Sequence, residues 1–279
     1  MEVDRWLATC GLPRNEALIL LAHATGLRRE QLIAGSRDPL DDAAATMATS
    51  LAGRRRNGEP IAYLVGHRDF YGRAFAVDRR VLIPRPETEL LVDLALEAMP
   101  RNGRMLDLGT GSGAIAITMA LERPGIDVVA TDRSADALAV ARGNAARLGA
   151  AVRFAAGDWY TALTPADSPF DAICANPPYV AAGDRHLDEG DLRFEPSLAL
   201  TDGADGLAAL RIIVAGAATW LAPGGIAIVE HGHDQAAAVR ALFVAASLEN
   251  VASRRDIAGI ERISFGTSSR VGGASSSRL

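Results

Sequence analysis

The chain has 279 residues, 49% of them hydrophobic, with a formal net charge of −5. That is enough apolar material for one large domain or a moderate one with a small companion, and it excludes wholesale disorder. The acidic balance argues against a protein whose main task is coating nucleic acid, and because all 29 basic residues are arginine a P-loop lysine, a Schiff-base lysine and a lysine general base are excluded outright.

Residues 1–65 read as short helices with no strand. Glu2 and Asp4 give the start an acidic character, unlike the basic region of a secretory signal. Pro13-Arg14-Asn15-Glu16 opens a segment with Leu18, Leu21, Ala22 and Thr25 at helical spacing, ended by Gly26. Asp41-Asp42 opens an alanine-rich helix that runs into Arg54-Arg55-Arg56 and stops at Asn57-Gly58; acid at its start and base at its end suit the helix dipole. The arginine run is a local basic stripe, expected to aid docking to an acidic or RNA-bearing partner. Two strand-like runs, 70–77 and 80–83, flank Asp78-Arg79 and predict a hairpin with its turn there. Pro86 then opens a helix with Glu87 and Glu89 in the first turn.

After Arg104, strand and helix alternate. Strands are predicted at 105–108, 127–132, 152–154, 170–175 and 226–230, with two closing strands around Val251 and Ile263. Helices are predicted at 112–121, from Ser134 to Gly149, near 207–221 and at 234–246. Such alternation implies an α/β, Rossmann-like sheet, parallel except near its end and covered on both faces. The expected organisation is a helical domain over 1–68, a hairpin linker over 69–84, a cofactor-binding domain over 85–266 and a disordered Ser/Gly-rich tail over 267–279. No apolar run is long enough to span a bilayer. Cys10 and Cys174 fit no metal or redox spacing and read as reduced thiols, so the expected location is cytoplasmic.

Two motifs carry the chemistry. Gly109-Thr110-Gly111-Ser112-Gly113 follows the first strand of the alternating region and opens a helix, whose N-terminal N–H groups would favour an anionic part of a cofactor. Asp132, ending the next strand, is placed to accept from ribose hydroxyls. Asp158 and Trp159, after the third strand, are candidates for an adenine amino group and a purine face. These features alone suit NAD as well as S-adenosylmethionine. The second motif, Asn176-Pro177-Pro178-Tyr179, ends the fourth strand. Proline removes two N–H donors in succession. What faces a ligand is then acceptor, the Asn176 side-chain oxygen and the Pro177 carbonyl, matched to the two donors of an NH2 group. Holding both N–H bonds orients a nitrogen whose lone pair is otherwise delocalised, and Tyr179 supplies an aromatic wall. The pairing of motifs points to methyl transfer from S-adenosylmethionine to a planar nitrogen. A metal at Glu230, His231, His233 and Asp234 is the weaker reading of that cluster. Arg85 is a candidate for the cofactor carboxylate or substrate backbone, and Arg193-Phe194-Glu195-Pro196 for part of a lid.

These blocks, together with Gly58-Glu59-Pro60-Ile61-Ala62-Tyr63-Leu64-Val65-Gly66, Leu82-Ile83-Pro84-Arg85-Pro86-Glu87-Thr88-Glu89 and Phe194-Glu195-Pro196-Ser197-Leu198-Ala199-Leu200, make the chain resemble the bacterial HemK-type protein-glutamine methyltransferases. The resemblance runs from about Gly58 to Gly266 and more loosely over the N-terminal helices. Asp69 stands where that family usually carries a glutamate. The resemblance implies a seven-stranded class I methyltransferase domain and N5-methylation of the glutamine in the Gly-Gly-Gln motif of peptide-chain release factors. It also implies that the N-terminal helices and hairpin help grip that partner. By the family pattern Gly109, Thr110, Gly111, Ser112, Gly113, Asp132, Trp159 and Asn176 line the cofactor site, and Asn176, Pro177, Pro178 and Tyr179 hold the glutamine amide. The expected enzyme is a monomer that binds neither membrane nor DNA. The rival readings are a ribosomal-protein glutamine methyltransferase, a DNA adenine-N6 methyltransferase, which must flip its base and grip a duplex, and an NAD-dependent oxidoreductase, which leaves Asn176 to Tyr179 unexplained.

Overall fold

The structure is a computed structural model that describes residues 1–188 and 190–270. Five helices come first: α1 (Val3–Thr9), α2 (Arg14–Thr25), α3 (Arg29–Ala34), α4 (Asp42–Arg56) and α5 (Ile61–Val65). Local chemistry sets their ends. The Asp41 carboxylate accepts from the N–H groups of Ala43 and Ala44 at the start of α4, and Gly26, at φ 70°, closes α2 in the left-handed region. Trp6, Leu18, Leu21, Leu32 and Leu51 pack inward from these helices and make a core of their own.

The hairpin that follows pairs β1 (His67–Phe70) with β2 (Arg73–Ala76), and its turn is Tyr71-Gly72. This corrects the sequence expectation of a turn at Asp78-Arg79. Both Tyr71 (φ 51°) and Gly72 (φ 71°) are left-handed, the backbone that matches the twist of two antiparallel strands. The Asp78 carboxylate instead binds the Arg80 guanidinium. Val77, Val81 and Ile83 form no strand and pack against Ala62, Ala137 and Val140, joining the linker to the larger unit.

A short 3-10 turn at Pro86–Thr88 leads into α6 (Glu89–Ala98), β3 (Arg104–Leu108), α7 (Ala114–Glu122), β4 (Asp127–Asp132), α8 (Ala135–Leu148) and β5 (Arg153–Ala156). Then come β6 (Phe170–Ala175), α9 (Ser197–Leu200), α10 (Ala208–Trp220), β7 (Leu221–Glu230), α11 (Ala236–Ala245), β8 (Glu249–Arg255) and β9 (Glu261–Thr267). The seven-stranded sheet has the order β5-β4-β3-β6-β7-β9-β8; β9 is antiparallel to both neighbours and the other pairings are parallel. Successive strand residues point to opposite faces, so each central strand feeds two cores. Met105, Ala172, Cys174 and Ile228 join α6 and α7 on one side; Leu106, Leu108, Ile173 and Ala175 join α10 and α11 on the other.

Strand order reverses between β3 and β6, and ligands of such sheets bind beyond the carboxyl ends at that point. The register pairs Leu108 with Ala175 and Leu108 with Thr131. The glycine turn, Asn176 and Asp132 therefore leave the sheet side by side. Of the expected tail, Thr267 belongs to β9 and pairs with Ile226, and the Ser268 N–H donates to the Gly225 carbonyl; residues 271–279 lie outside the described part.

Candidate functional site

At the reversal point lies a cleft of about 1110 Å³, open to solvent. Gly109, Thr110, Gly111, Ser112, Asp132, Asp158, Trp159, Asn176 and Pro178 line it, with Val81 and Leu82 from the linker and Pro196, Leu198 and Ala199 beyond the chemical loop. Three residues expected at the site, Gly113, Pro177 and Tyr179, are not among those lining it. Gly113 serves packing: at φ 84°, a Cβ there would come within 2.6 Å of Ile117 Cδ1.

The cofactor half is built from strand ends and backbone. The Gly111 N–H donates to Asp132 Oδ2 (2.9 Å) and the Ser134 N–H to Oδ1 (2.8 Å). Each oxygen accepts one protein N–H and keeps acceptor capacity for a hydroxyl. Burial pushes this carboxyl above its ordinary range, against the pull of those N–H groups. The turn differs from expectation in one respect. The N–H groups of Gly109 and Thr110 both donate to the Thr131 carbonyl (2.9 Å each), and that of Gly113 to the Thr110 carbonyl (2.8 Å). The turn is thus pinned to β4 instead of offering a row of free donors. Gly109 sits at φ 74°, in the left-handed region that favours glycine, and a Cβ there would also crowd Trp159 Cζ3 at 3.1 Å. The indole of Trp159 thus lies over the turn and forms a flat wall. Two acceptor oxygens, a planar ring and apolar Ile115, Ala137 and Val81 fit a ribose and a purine. Beneath the turn, Asp107 is fully buried; Oδ2 accepts from Thr110 Oγ1 (2.7 Å), and burial pushes the carboxyl up to about 7 against the pull of Thr110 and the Ala116 N–H.

The other half is a chain of side chains from three separate stretches. Asn176 Nδ2 donates to Thr88 Oγ1 (3.0 Å), Thr88 Oγ1 donates to Glu230 Oε2 (2.6 Å), and the Tyr179 hydroxyl donates to Glu230 Oε1 (3.1 Å). The amino end of Asn176 is committed, so its oxygen is the end available to the cleft. Glu230 is 1% exposed. Burial pushes it up to about 7; the Thr88 and Tyr179 donors and Arg262 pull it down, and Glu87 pushes it up. Behind these side chains, Gln235 Nε2 donates to the Tyr179 carbonyl (3.0 Å) and holds the loop's backbone. Sequence reasoning missed Thr88 as a site residue, although the block carrying it was conspicuous, and placed Glu230 only in a metal cluster. Among the described residues no group of His, Cys, Asp and Glu is arranged to hold a metal. His231 is buried, with Nε2 2.8 Å from Ser264 Oγ and Nδ1 2.9 Å from the Gly232 carbonyl.

Arg85 does not line the cleft. It ion-pairs with Glu195, whose side chain is fully buried and also accepts from the Ile83 N–H (2.9 Å). This clamps the linker to the segment carrying Pro196 and Leu198. The same segment is tied to the helical unit: Arg55 binds Asp191 (2.7 Å) and Glu16 (2.8 Å), Arg193 donates to the Asn57 carbonyl, and Arg79 and Arg193 lie over the Phe194 ring. Each arginine of the basic stripe thus has an intramolecular partner, while Arg54 and Arg56 stay exposed at the surface. Arg54 binds Glu59 (2.7 Å) and Arg56 donates to the Cys10 carbonyl (2.6 Å).

Known proteins match both parts of the chain. The Methyltransferase small domain family matches residues 86–191, and the PrmC N-terminal domain family matches residues 5–66. A release factor glutamine methyltransferase of Bordetella pertussis is 56% identical over 262 residues, covering 93% of this chain and 97% of the relative. The chain belongs to the release factor glutamine methyltransferase family. Another member, from Neisseria gonorrhoeae, is 49% identical over 266 residues, 95% of this chain and 97% of its own length. A solved methyltransferase from Pyrococcus furiosus shares the fold, with a TM-score of 0.55 at 19% identity over 79% of this chain and 99% of its own. Among the described residues no helix is long and apolar enough to cross a membrane.

Proposed function

We propose that this protein transfers a methyl group from S-adenosylmethionine to the side-chain N5 of the glutamine in the Gly-Gly-Gln motif of peptide-chain release factors. The observation that carries this reading is the Asn176 carboxamide: its NH2 is held by Thr88, leaving an oxygen at the cleft beside the glycine turn. When bound, S-adenosylmethionine supplies a methyl group on an electrophilic sulfonium. Asp132 would hold the ribose hydroxyls, Trp159 and Asp158 the purine, and the Gly109 to Gly113 turn the backbone-facing side of the cofactor.

Asn176 Oδ1 and the Pro177 carbonyl each accept one N–H of the substrate amide. That grip turns the nitrogen lone pair out of conjugation and toward the cofactor side, so orientation and electrostatics supply most of the catalysis. Pro178, which lines the cleft, bounds the flat amide. No base is needed before transfer, because a nitrogen that gains a methyl becomes a strong acid and loses its proton to solvent.

The relatives' names favour a release factor over a ribosomal protein as acceptor. A DNA acceptor is disfavoured by the net charge of −5, and an oxidoreductase has no use for the acceptor pair at Asn176. We place the reaction in the cytoplasm, where release factors work. Incubation with labelled S-adenosylmethionine and, separately, release factor, ribosomal protein and DNA, followed by mass spectrometry, tests this. Label on the Gly-Gly-Gln glutamine is the expected result; label only on another acceptor overturns it.

A further inference from the structure

The geometry points to Thr88 and Glu230 as positioning residues that set which end of the Asn176 carboxamide faces the substrate, with the ionised Glu230 carboxylate as the origin of that direction. The inference rests on the methyl-transfer reading above and deepens it.

An asparagine amide has two ends of nearly the same shape and opposite hydrogen-bonding character. A half-turn about its last torsion would present NH2 to the substrate's own NH2, donor against donor. Something must choose between the two, and packing alone distinguishes them poorly. The hydrogen-bond chain does choose. An ionised carboxylate only accepts. Glu230 Oε2 lies 2.6 Å from Thr88 Oγ1, so the single Thr88 hydroxyl proton points to Glu230. Thr88 Oγ1 can then only accept from its other neighbour, and the end of Asn176 3.0 Å away must be the NH2. The oxygen is left for the substrate. The second Glu230 oxygen accepts from the Tyr179 hydroxyl at 3.1 Å and fixes that side chain by the same means. One buried carboxylate thereby orients the Asn176 amide at the cleft and anchors the loop behind it.

Protonation reverses the logic. A carboxylic acid donates. A proton on Glu230 Oε2 would be given to Thr88 Oγ1, the Thr88 hydroxyl would turn toward Asn176, and the amide would be stabilised with its oxygen inward. The charged and titratable neighbours are Glu87, which favours protonation, and Arg262, which opposes it; with burial foremost, Glu230 sits at about 7. Methyl transfer should therefore fall as pH drops through neutrality, although the transfer step itself needs no base.

The test uses the full-length protein and two independent readouts. In solution NMR without substrate, Thr88→Val removes the hydroxyl that stabilises the charged form. The Glu230 carboxyl carbon should then titrate at higher pH than in the wild type, and the Asn176 side-chain NH2 should lose its exchange protection. In kinetics with release factor, Thr88→Val should lower kcat about 10- to 100-fold, the scale of a misoriented reactant. S-adenosylmethionine affinity and KM for release factor should stay close to wild type. Thr88→Ser, which restores the hydroxyl, should recover most of the rate, and Glu230→Gln should abolish the acid limb of the pH–rate profile near 7. Unchanged kcat in Thr88→Val, or a Thr88→Ser as slow as the valine variant, overturns the inference. A wild type that methylates none of the candidate acceptors would sink the functional reading instead, and the NMR comparison would still decide the positioning role.

Discussion

The two halves of the cleft are made in opposite ways. The cofactor half is local: a glycine turn, a strand-end aspartate and a tryptophan, each following directly on a strand, with the turn's N–H groups bonded back to Thr131 and Asp132. The acceptor half is borrowed from distant sequence, with Thr88, Asn176, Tyr179 and Glu230 joined by side-chain bonds. A cofactor whose shape is always the same can be held by backbone geometry. An amide to be oriented needs acceptors of defined direction, and direction must be imposed by further side chains.

The largest expected effect separates the halves. Asn176→Ala should reduce methyl transfer by at least about 100-fold, as loss of an aimed hydrogen-bonding group at a reacting centre does, while calorimetry still detects cofactor binding. Near-normal turnover would erase the distinction. Asp132→Ala should do the converse, weakening S-adenosylmethionine binding about 10- to 100-fold, the worth of hydrogen bonds to a charged group. Its kcat at saturating cofactor should remain close to wild type. Arg55→Ala touches neither half directly; it loses the bonds to Glu16 and Asp191 and should lower stability by about 1–3 kcal/mol. Thermal melting should fall without loss of cofactor affinity at low temperature.

The smallest effect concerns pH. Glu230 and Asp107 both sit at about 7 when folded, above the ordinary carboxylate range. Between that range and neutrality the folded protein holds more protons than the unfolded chain, so their contribution is fully present at acid pH and is lost as pH rises toward 7. Stability should decline over the window in which methyl transfer rises. A Tm that climbs with pH there, with Glu230→Gln following the same curve, would break this pairing of opposed slopes.

Much of this was legible beforehand. The strands at Asp127–Asp132 and Phe170–Ala175 fall where the apolar runs put them, and Ser134 caps α8 as its position suggested. The antiparallel strand near the end of the sheet was also foreseeable from the short connection between the last two. The hairpin was misread because its four-residue strands carry little periodicity and the turn residue Tyr71 is not a usual left-handed residue. The sequence shows Arg54, Arg55 and Arg56 as a basic stripe but does not reveal that Glu16, Glu59, Asp191 and the Cys10 carbonyl converge on them.

The sequence by itself determined the alternation of elements, the cofactor turn and the acceptor character of Asn176-Pro177-Pro178-Tyr179, since these depend on spacing, glycine freedom and the missing N–H of proline. Only the tertiary structure decided which way the Asn176 amide points, that Glu230 joins it through Thr88, and that Arg85 meets Glu195. Each of those depends on a hydrogen-bond or ion-pair partner far away in the chain. No local pattern encodes a partner that comes into reach only when the sheet has closed.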